Sequence, residues 1–222
     1  MRKIIIAIDG PAASGKSTVA KEVAQALNYI YIDSGAMYRA LTLKALNNNI
    51  DVHDEESLVN MTKNTNIELK NQKIYLDDED VTTKIRGRAV TNNVSAVCSY
   101  AGVREEMVKL QKEYGKLGGI VMDGRDIGTT VFPNADLKIF QIASVEERAK
   151  RRFIEDTKKG IACDLETLKK EIELRDYKDS TREISPLQKA DDAIELDTSN
   201  LSKDEVVNKI VVLAKKVIES EE

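Results

Sequence analysis

An α/β architecture, five parallel strands with helices on both faces of the sheet, is what the sequence predicts, and three observations predict it. Short apolar runs alternate with segments of helical periodicity along the chain, the pattern of a parallel sheet built from crossover connections. Gly10-Pro11-Ala12-Ala13-Ser14-Gly15-Lys16-Ser17-Thr18 fits G-x-x-x-x-G-K-[ST] between an apolar strand and an amphipathic helix, the setting in which that pattern cradles phosphate. An apolar/polar alternation between residues 67 and 76 interrupts the series and reads as an antiparallel hairpin, so the sheet carries a small inserted subdomain.

Each element has its own reason. Residues 3–9 are apolar without alternation, as in a strand buried on both faces. Residues 19–27 place Val19, Val23, Ala26 and Leu27 on one helical face, and 29–33 form a short second strand. Ser34-Gly35 opens a helix over 36–47 that Asn47-Asn48-Asn49 stops, and 52–65 hold a shorter helical pattern behind Asp54. Residues 67–70 and 74–76 pair around Asn71-Gln72-Lys73, within an insert of 65–100. A helix over 103–117 ends at Gly118-Gly119, and a third strand, 120–123, runs into Gly124-Arg125-Asp126-Ile127-Gly128. The fourth strand is 137–142. Ser144 and Glu147 form a capping box that opens a helix to about Lys159, and a helix over 165–177 follows Gly160. The fifth strand is 193–196. A second capping box, Ser202 with Glu205, starts a last helix striped by Val206, Ile210, Leu213 and Val217. Residues 1–222 thus read as one P-loop NTPase domain.

Composition narrows the classes. With 222 residues, 41% hydrophobic and 32% charged, the chain suits one soluble globular domain. A net charge of −4 argues against nucleic-acid binding, which needs a basic surface. Cys98 and Cys163 have no metal-ligand spacing and read as free thiols of a reducing cytoplasm. His53, the single histidine, lies in a polar stretch and does not suggest catalysis. No signal peptide or membrane-length apolar run is expected, hence no membrane partner.

The loop's chemistry is local. Glycines let successive N–H groups turn toward an anion, and the following helix adds its N-terminal N–H groups. Lys16 is placed to neutralise the β- and γ-phosphates of a nucleotide and the Ser17 hydroxyl to ligate magnesium, with Asp33 supporting the metal through water. Asp9, Asp33 and Asp123 fall at strand carboxyl ends, where parallel sheets bind ligands, and are expected to share one cleft. A P-loop alone leaves a switch GTPase, a motor and a small-molecule kinase open. No base-reading N-K-x-D is present. Arginines are instead spread over the chain: Arg39, Arg104, Arg125, then Arg148, Arg151 and Arg152 on one helical face, then Arg175 and Arg182. Two phosphorylated substrates demand such cations, since phosphoryl transfer is mostly positioning and neutralisation.

The segments from Ile8 to Thr18, Asp33-Ser34-Gly35-Ala36-Met37-Tyr38-Arg39, Asp123 to Thr129 with Val131-Phe132-Pro133, and Arg175-Asp176 to Arg182 with Pro186-Leu187 together resemble the bacterial cytidylate kinases over essentially the whole chain. The resemblance implies a nucleoside monophosphate kinase that moves the ATP γ-phosphoryl group to CMP or dCMP with magnesium, acting as a monomer. It implies ATP contacts along Gly10 to Thr18. Ser34, Tyr38, Arg39 and Arg125 would lie about the acceptor's phosphate and sugar, and Ser95, Arg104 and Asp126 would read cytosine. Arg175, Asp179 and Arg182 would hold the sugar and the phosphate between the nucleotides, and Arg148 and Arg152 would belong to a helical lid that, with the helix after it, spans 148–182. Lys16, Arg125, Arg152 and Arg182 are the expected catalytic cations. Some relatives carry further Arg where this chain reads Asp176 to Thr181, a charge that Lys178 or the lid would supply. Cytosine's amino donor suits Asp126, where uracil offers an acceptor. Kinases for UMP, AMP, shikimate or dephospho-coenzyme A, and a nucleotide-binding module without an acceptor, are the rival readings.

Overall fold

The computed structural model describes residues 2–70, 72–158 and 160–220. The expected turn residue Asn71 and helix end Lys159 lie outside the described residues. In chain order the elements are β1 (Ile5–Asp9), α1 (Lys16–Leu27), β2 (Ile30–Asp33), α2 (Ser34–Asn47), α3 (Glu55–Lys63), β3 (Ile67–Lys70), β4 (Lys73–Leu76), β5 (Glu79–Asp80), α4 (Arg88–Val97) and α5 (Ala101–Gly115). There follow β6 (Ile120–Gly124), β7 (Leu137–Ile142), α6 (Val145–Lys158), α7 (Leu165–Thr181), β8 (Ile194–Asp197) and α8 (Lys203–Glu219). The chain divides into two compact units, Met1–Tyr31 with Leu117–Glu222, and Ile32–Lys116.

The first unit is organised by the five-stranded parallel sheet, in the order β2-β6-β1-β7-β8. Strand β1 lies at its centre because its residues are apolar on both faces. It runs parallel to β6, from Ile5 against Ile120 to Asp9 against Gly124, and to β7, from Ile6 against Leu137 to Asp9 against Phe140. Strand β7 pairs in turn with β8. Side chains alternate along a strand. Ile4, Ile6 and Ile8 therefore pack on one face with Val19, Ala20, Val23 and Ala24 of α1 and with Val206, Val207, Ile210 and Ala214 of α8. Each fully buried Ile contributes about 1.5–3 kcal/mol, enough to fix which face of β1 looks at the helices. Asp9 consequently points to the other face, at the carboxyl end of the central strand, where the phosphate loop begins.

Two cap readings come out differently. Ser202 accepts from the Glu205 N–H while the Glu205 carboxylate takes the Ser202 N–H, a complete box at the start of α8. At α6 the box is only half made. Ser144 Oγ accepts from the Glu147 N–H at 3.2 Å, but Ser144's own N–H goes to Ser199 Oγ and the Glu147 carboxylate turns to Arg151. After β6, residues 127–131 make one wide helical turn, with Phe132 N–H on Ile127 O and Val131 N–H on Asp126 O.

The second unit has its own core, with Met37, Leu41, Leu58, Ile85 and Met107 almost fully buried. Its sheet is antiparallel, in the order β3-β4-β5. The expected hairpin is β3 and β4, paired from Ile67 with Leu76 to Lys70 with Lys73. Helix α4 was not expected, because Val, Thr and Asn are weak helix formers. Burial of Val90, Val94 and Val97 along one face outweighs that propensity. No described helix is long and apolar enough to cross a membrane.

Candidate active site

The loop between β1 and α1 is fixed by close packing. A side chain at Gly10 would put its Cβ 2.1 Å from the Gln141 carbonyl oxygen, so only glycine lets the loop pass over β7. Ala13 and Gly15 then take positive φ, 57° and 83°, which curls the backbone into the first turn of α1. Side chains from the neighbouring elements hold its carbonyls. Gln141 Nε2 donates to Ser14 O at 2.7 Å, Arg151 Nη1 to the same oxygen at 3.2 Å, and Arg148 Nη1 to Ala12 O at 2.9 Å. Asp176 of α7 accepts the Ala12 N–H at 3.1 Å and pairs with Arg148 at 2.6 Å.

Lys16 is 5% exposed, and its ammonium donates to Pro11 O at 3.0 Å. Burial first, and the Arg125 guanidinium next, pull its pKa down to about 7, against the opposing pull of Asp123 and Asp179. A cation so placed gains most from an arriving anion. Ser17 Oγ donates to Asp123 Oδ2 at 2.7 Å, and Tyr31 donates to the other oxygen at 2.8 Å. A hydroxyl and a carboxylate in contact are hard oxygen donors of the kind magnesium takes. Among the described residues no group of three or more His, Cys, Asp or Glu is suited to hold an ion.

Beyond β6 the cations and carboxylates interleave. Arg125 Nε donates to Asp179 Oδ2 at 2.8 Å. Burial alone would raise the Asp179 pKa, but Arg125 and then Arg175 reverse that and hold it below its ordinary value. Arg182 donates to Ser185 O and lies 3.6 Å from the buried Asp126. Lys16, Arg125, Arg175, Asp179, Asp126 and Arg182 are thus one electrostatic group. Arg152 pairs with the buried Asp156 one turn along α6.

In the second unit Asp33 caps α2 by accepting the Ala36 N–H at 2.7 Å and pairs with Arg39 and Arg86. Ser34 and Tyr38 are buried in the first turns of α2. The buried Arg104 donates to Cys98 O and stacks its guanidinium 5.4 Å from the Tyr38 ring centre. Ser95 is half-buried on α4.

Sequence reasoning placed Asp123 in the expected cleft, counted Arg151 among the cations and set Asp176 in the segment from Arg175 to Arg182, but gave none of the three a contact. It did not name Gln141 or Arg86. Gln141 was visible as a polar residue inside an apolar strand run, and Arg86 gives no signal without the fold.

A family model described as cytidylate kinase matches residues 6–216. The cytidylate kinase of Anoxybacillus flavithermus is 57% identical, covering 98% of this chain and 99% of that one. That of Enterococcus faecalis is 59% identical, with 93% of each chain covered, and that of Bacillus subtilis is 56% identical, covering 95% and 96%. Among solved structures, a shikimate kinase from Bacteroides thetaiotaomicron is similar in fold, with TM-score 0.50 and 14% identity over 96% of this chain and 99% of that one. An uncharacterized protein from Eubacterium ventriosum has TM-score 0.53 and 12% identity over the same shares.

Proposed function

The chain belongs to the cytidylate kinase family, and we infer that it transfers the γ-phosphoryl group of ATP to CMP or dCMP, giving ADP with CDP or dCDP. The observation that supports this best is Asp126, a buried carboxylate beside Arg182 and next in sequence to Arg125 in the cationic group around Lys16. A carboxylate accepts from the N4 amino group of cytosine and repels the O4 acceptor of uracil. The surrounding cations suit the several negative charges of donor and acceptor phosphates.

The phosphate loop would hold the donor through its N–H groups, with Lys16 on the β- and γ-phosphates. Arg125, Arg175 and Arg182 would neutralise the phosphoryl group in flight, and Asp179 would keep Arg125 oriented and take a sugar hydroxyl. In the second unit we assign Ser34, Tyr38 and Arg39 to the acceptor's phosphate and sugar and Ser95 and Arg104 to its base. Residues 65–100 would serve the monophosphate. Residues 148–182 would act as a lid, to which Arg152 brings a cation and which excludes water that would otherwise accept the phosphoryl group. Magnesium, held by Ser17 and Asp123, would supply charge neutralisation on the triphosphate. No general base is needed, because the attacking phosphate oxygen is already an anion. We further assign the protein to the cytoplasm, as a monomer.

ADP release measured side by side with CMP, dCMP, UMP and AMP tests the reading. Turnover with CMP and dCMP well above that with UMP and AMP is expected, and is lost in Lys16→Ala. Equal turnover with UMP or AMP would overturn it, and ATP binding without acceptor-dependent ADP release would point to a binding module.

A further inference from the structure

Asp9 takes no part in the mechanism above, yet its placement is unusual. It is the last residue of β1, 5% exposed, and its carboxylate is held by two peptide N–H groups. Oδ1 accepts from Ile127 at 2.9 Å and Oδ2 from Gly128 at 2.7 Å. These are the first two N–H groups of the wide turn that begins after Asp126. Buried and at the start of a turn, they have no intrahelical acceptor and would otherwise be orphaned. The peptide that joins Asp126 to Ile127 is therefore pinned from below by Asp9, while Arg182 lies 3.6 Å from the Asp126 carboxylate.

We propose that Asp9 is a specificity-determining positioning residue, whose carboxylate fixes the backbone that carries Asp126 and so sets how the acceptor base is read. The assignment rests on the reading of Asp126 given above. Both Asp9 oxygens are already taken by peptide N–H groups, so it acts through Asp126. Two N–H donors require two acceptor oxygens, which a carboxylate supplies and a carboxamide does not. The same enclosure explains Gly128, where a Cβ would sit 3.1 Å from Lys138 Cδ and 3.4 Å from Asp9 Oδ2. Asp126, Lys16 and, across Gly128, Lys138 are the charged groups around the carboxylate.

Asp9→Asn keeps the shape, retains one acceptor and turns an NH₂ group toward the other N–H. Steady-state kinetics of the full chain with CMP and with UMP, beside thermal melts, read the consequence. The CMP-to-UMP ratio of kcat/KM is expected to fall about tenfold, through a raised KM for CMP, with the KM for ATP changed by less than about threefold, the scale of one misplaced base contact. A variant that melts lower but keeps the wild-type ratio within about twofold overturns the assignment, because a carboxylate that only stabilises the fold does not alter base choice. If Asp9→Asn does not fold, Gly128→Ala crowds the same turn, setting a Cβ against Lys138 and Asp9 while removing no charge, and an unchanged ratio there overturns it equally. A wild-type enzyme without preference for CMP overturns the functional reading itself, a result distinct from a selective wild type with an equally selective Asp9→Asn.

Discussion

At the scale of single residues, the site is a problem of buried charge. Lys16 carries a cation in a place that disfavours it, and its pKa falls to about 7 for that reason. A bound triphosphate would reverse the balance, since an adjacent anion favours the ammonium. At pH 8 most Lys16 side chains are neutral before ATP arrives, so ATP binding is expected to take up close to one proton. At pH 6 the uptake is small. Calorimetric titrations in two buffers of different ionisation enthalpy measure this directly, and equal heats in both buffers at pH 8 would contradict it. Asp123 shows the complementary case. It is fixed by Ser17 and Tyr31 through hydroxyl donors, so both of its oxygens are oriented before any metal binds.

At the scale of elements, helix α6 divides its arginines between two tasks. Arg148 and Arg151 hold the carbonyls of Ala12 and Ser14, while Arg152 pairs with Asp156. Sequence spacing put all three on one face, which is correct to within a turn. It did not say which would be buried. Arg148 donates to Ala143 O and Ala12 O and pairs with Asp176, so Arg148→Ala leaves two carbonyls and a half-buried carboxylate without that cation. The expected cost is about 2–4 kcal/mol of stability, with a larger rise in the KM for ATP than for CMP. Denaturant unfolding and two-substrate kinetics check both parts. An unchanged KM for ATP would leave Arg148 as a fold residue and not a brace of the donor loop.

At the scale of the whole molecule, two buried groups bend the stability curve in opposite directions around neutral pH. Burial, the largest influence, raises the Asp9 carboxyl from 3.8 to about 7 despite the two N–H bonds. Between those values the folded chain holds a proton that the unfolded chain lacks, so stability present below pH 4 is lost as pH rises through 7. Lys16 falls from 10.5 to about 7, so its contribution is present above 10.5 and is lost as pH falls through 7. Each is worth on the order of 5 kcal/mol at most, and both reach their low near pH 7. Thermal melts of the wild type and Asp9→Asn from pH 5 to 8 should therefore show the wild type losing ground as pH rises. A constant difference across that range would remove Asp9 as the cause.

The architecture and the glycine loop were legible in the sequence because they follow from short-range rules. An apolar run, a glycine loop and an amphipathic stripe fix a buried strand, a tight turn and a helix, and Gly10 to Thr18 could be named on that basis, whereas the part given to Asp126 came from the resemblance. Helix α4 was not legible, since weak local propensity is overridden by the burial of three valines. The same holds for the half-made box at Ser144, where Ser199, 55 residues away, takes the N–H that Glu147 was expected to satisfy. What only the tertiary structure decided is which polar groups meet. Asp9 lies 118 residues from Ile127, and Asp176 lies 164 from Ala12. A hydrogen bond depends on position to a fraction of an ångström, and the chain acquires that position only when the sheet and its loops have closed.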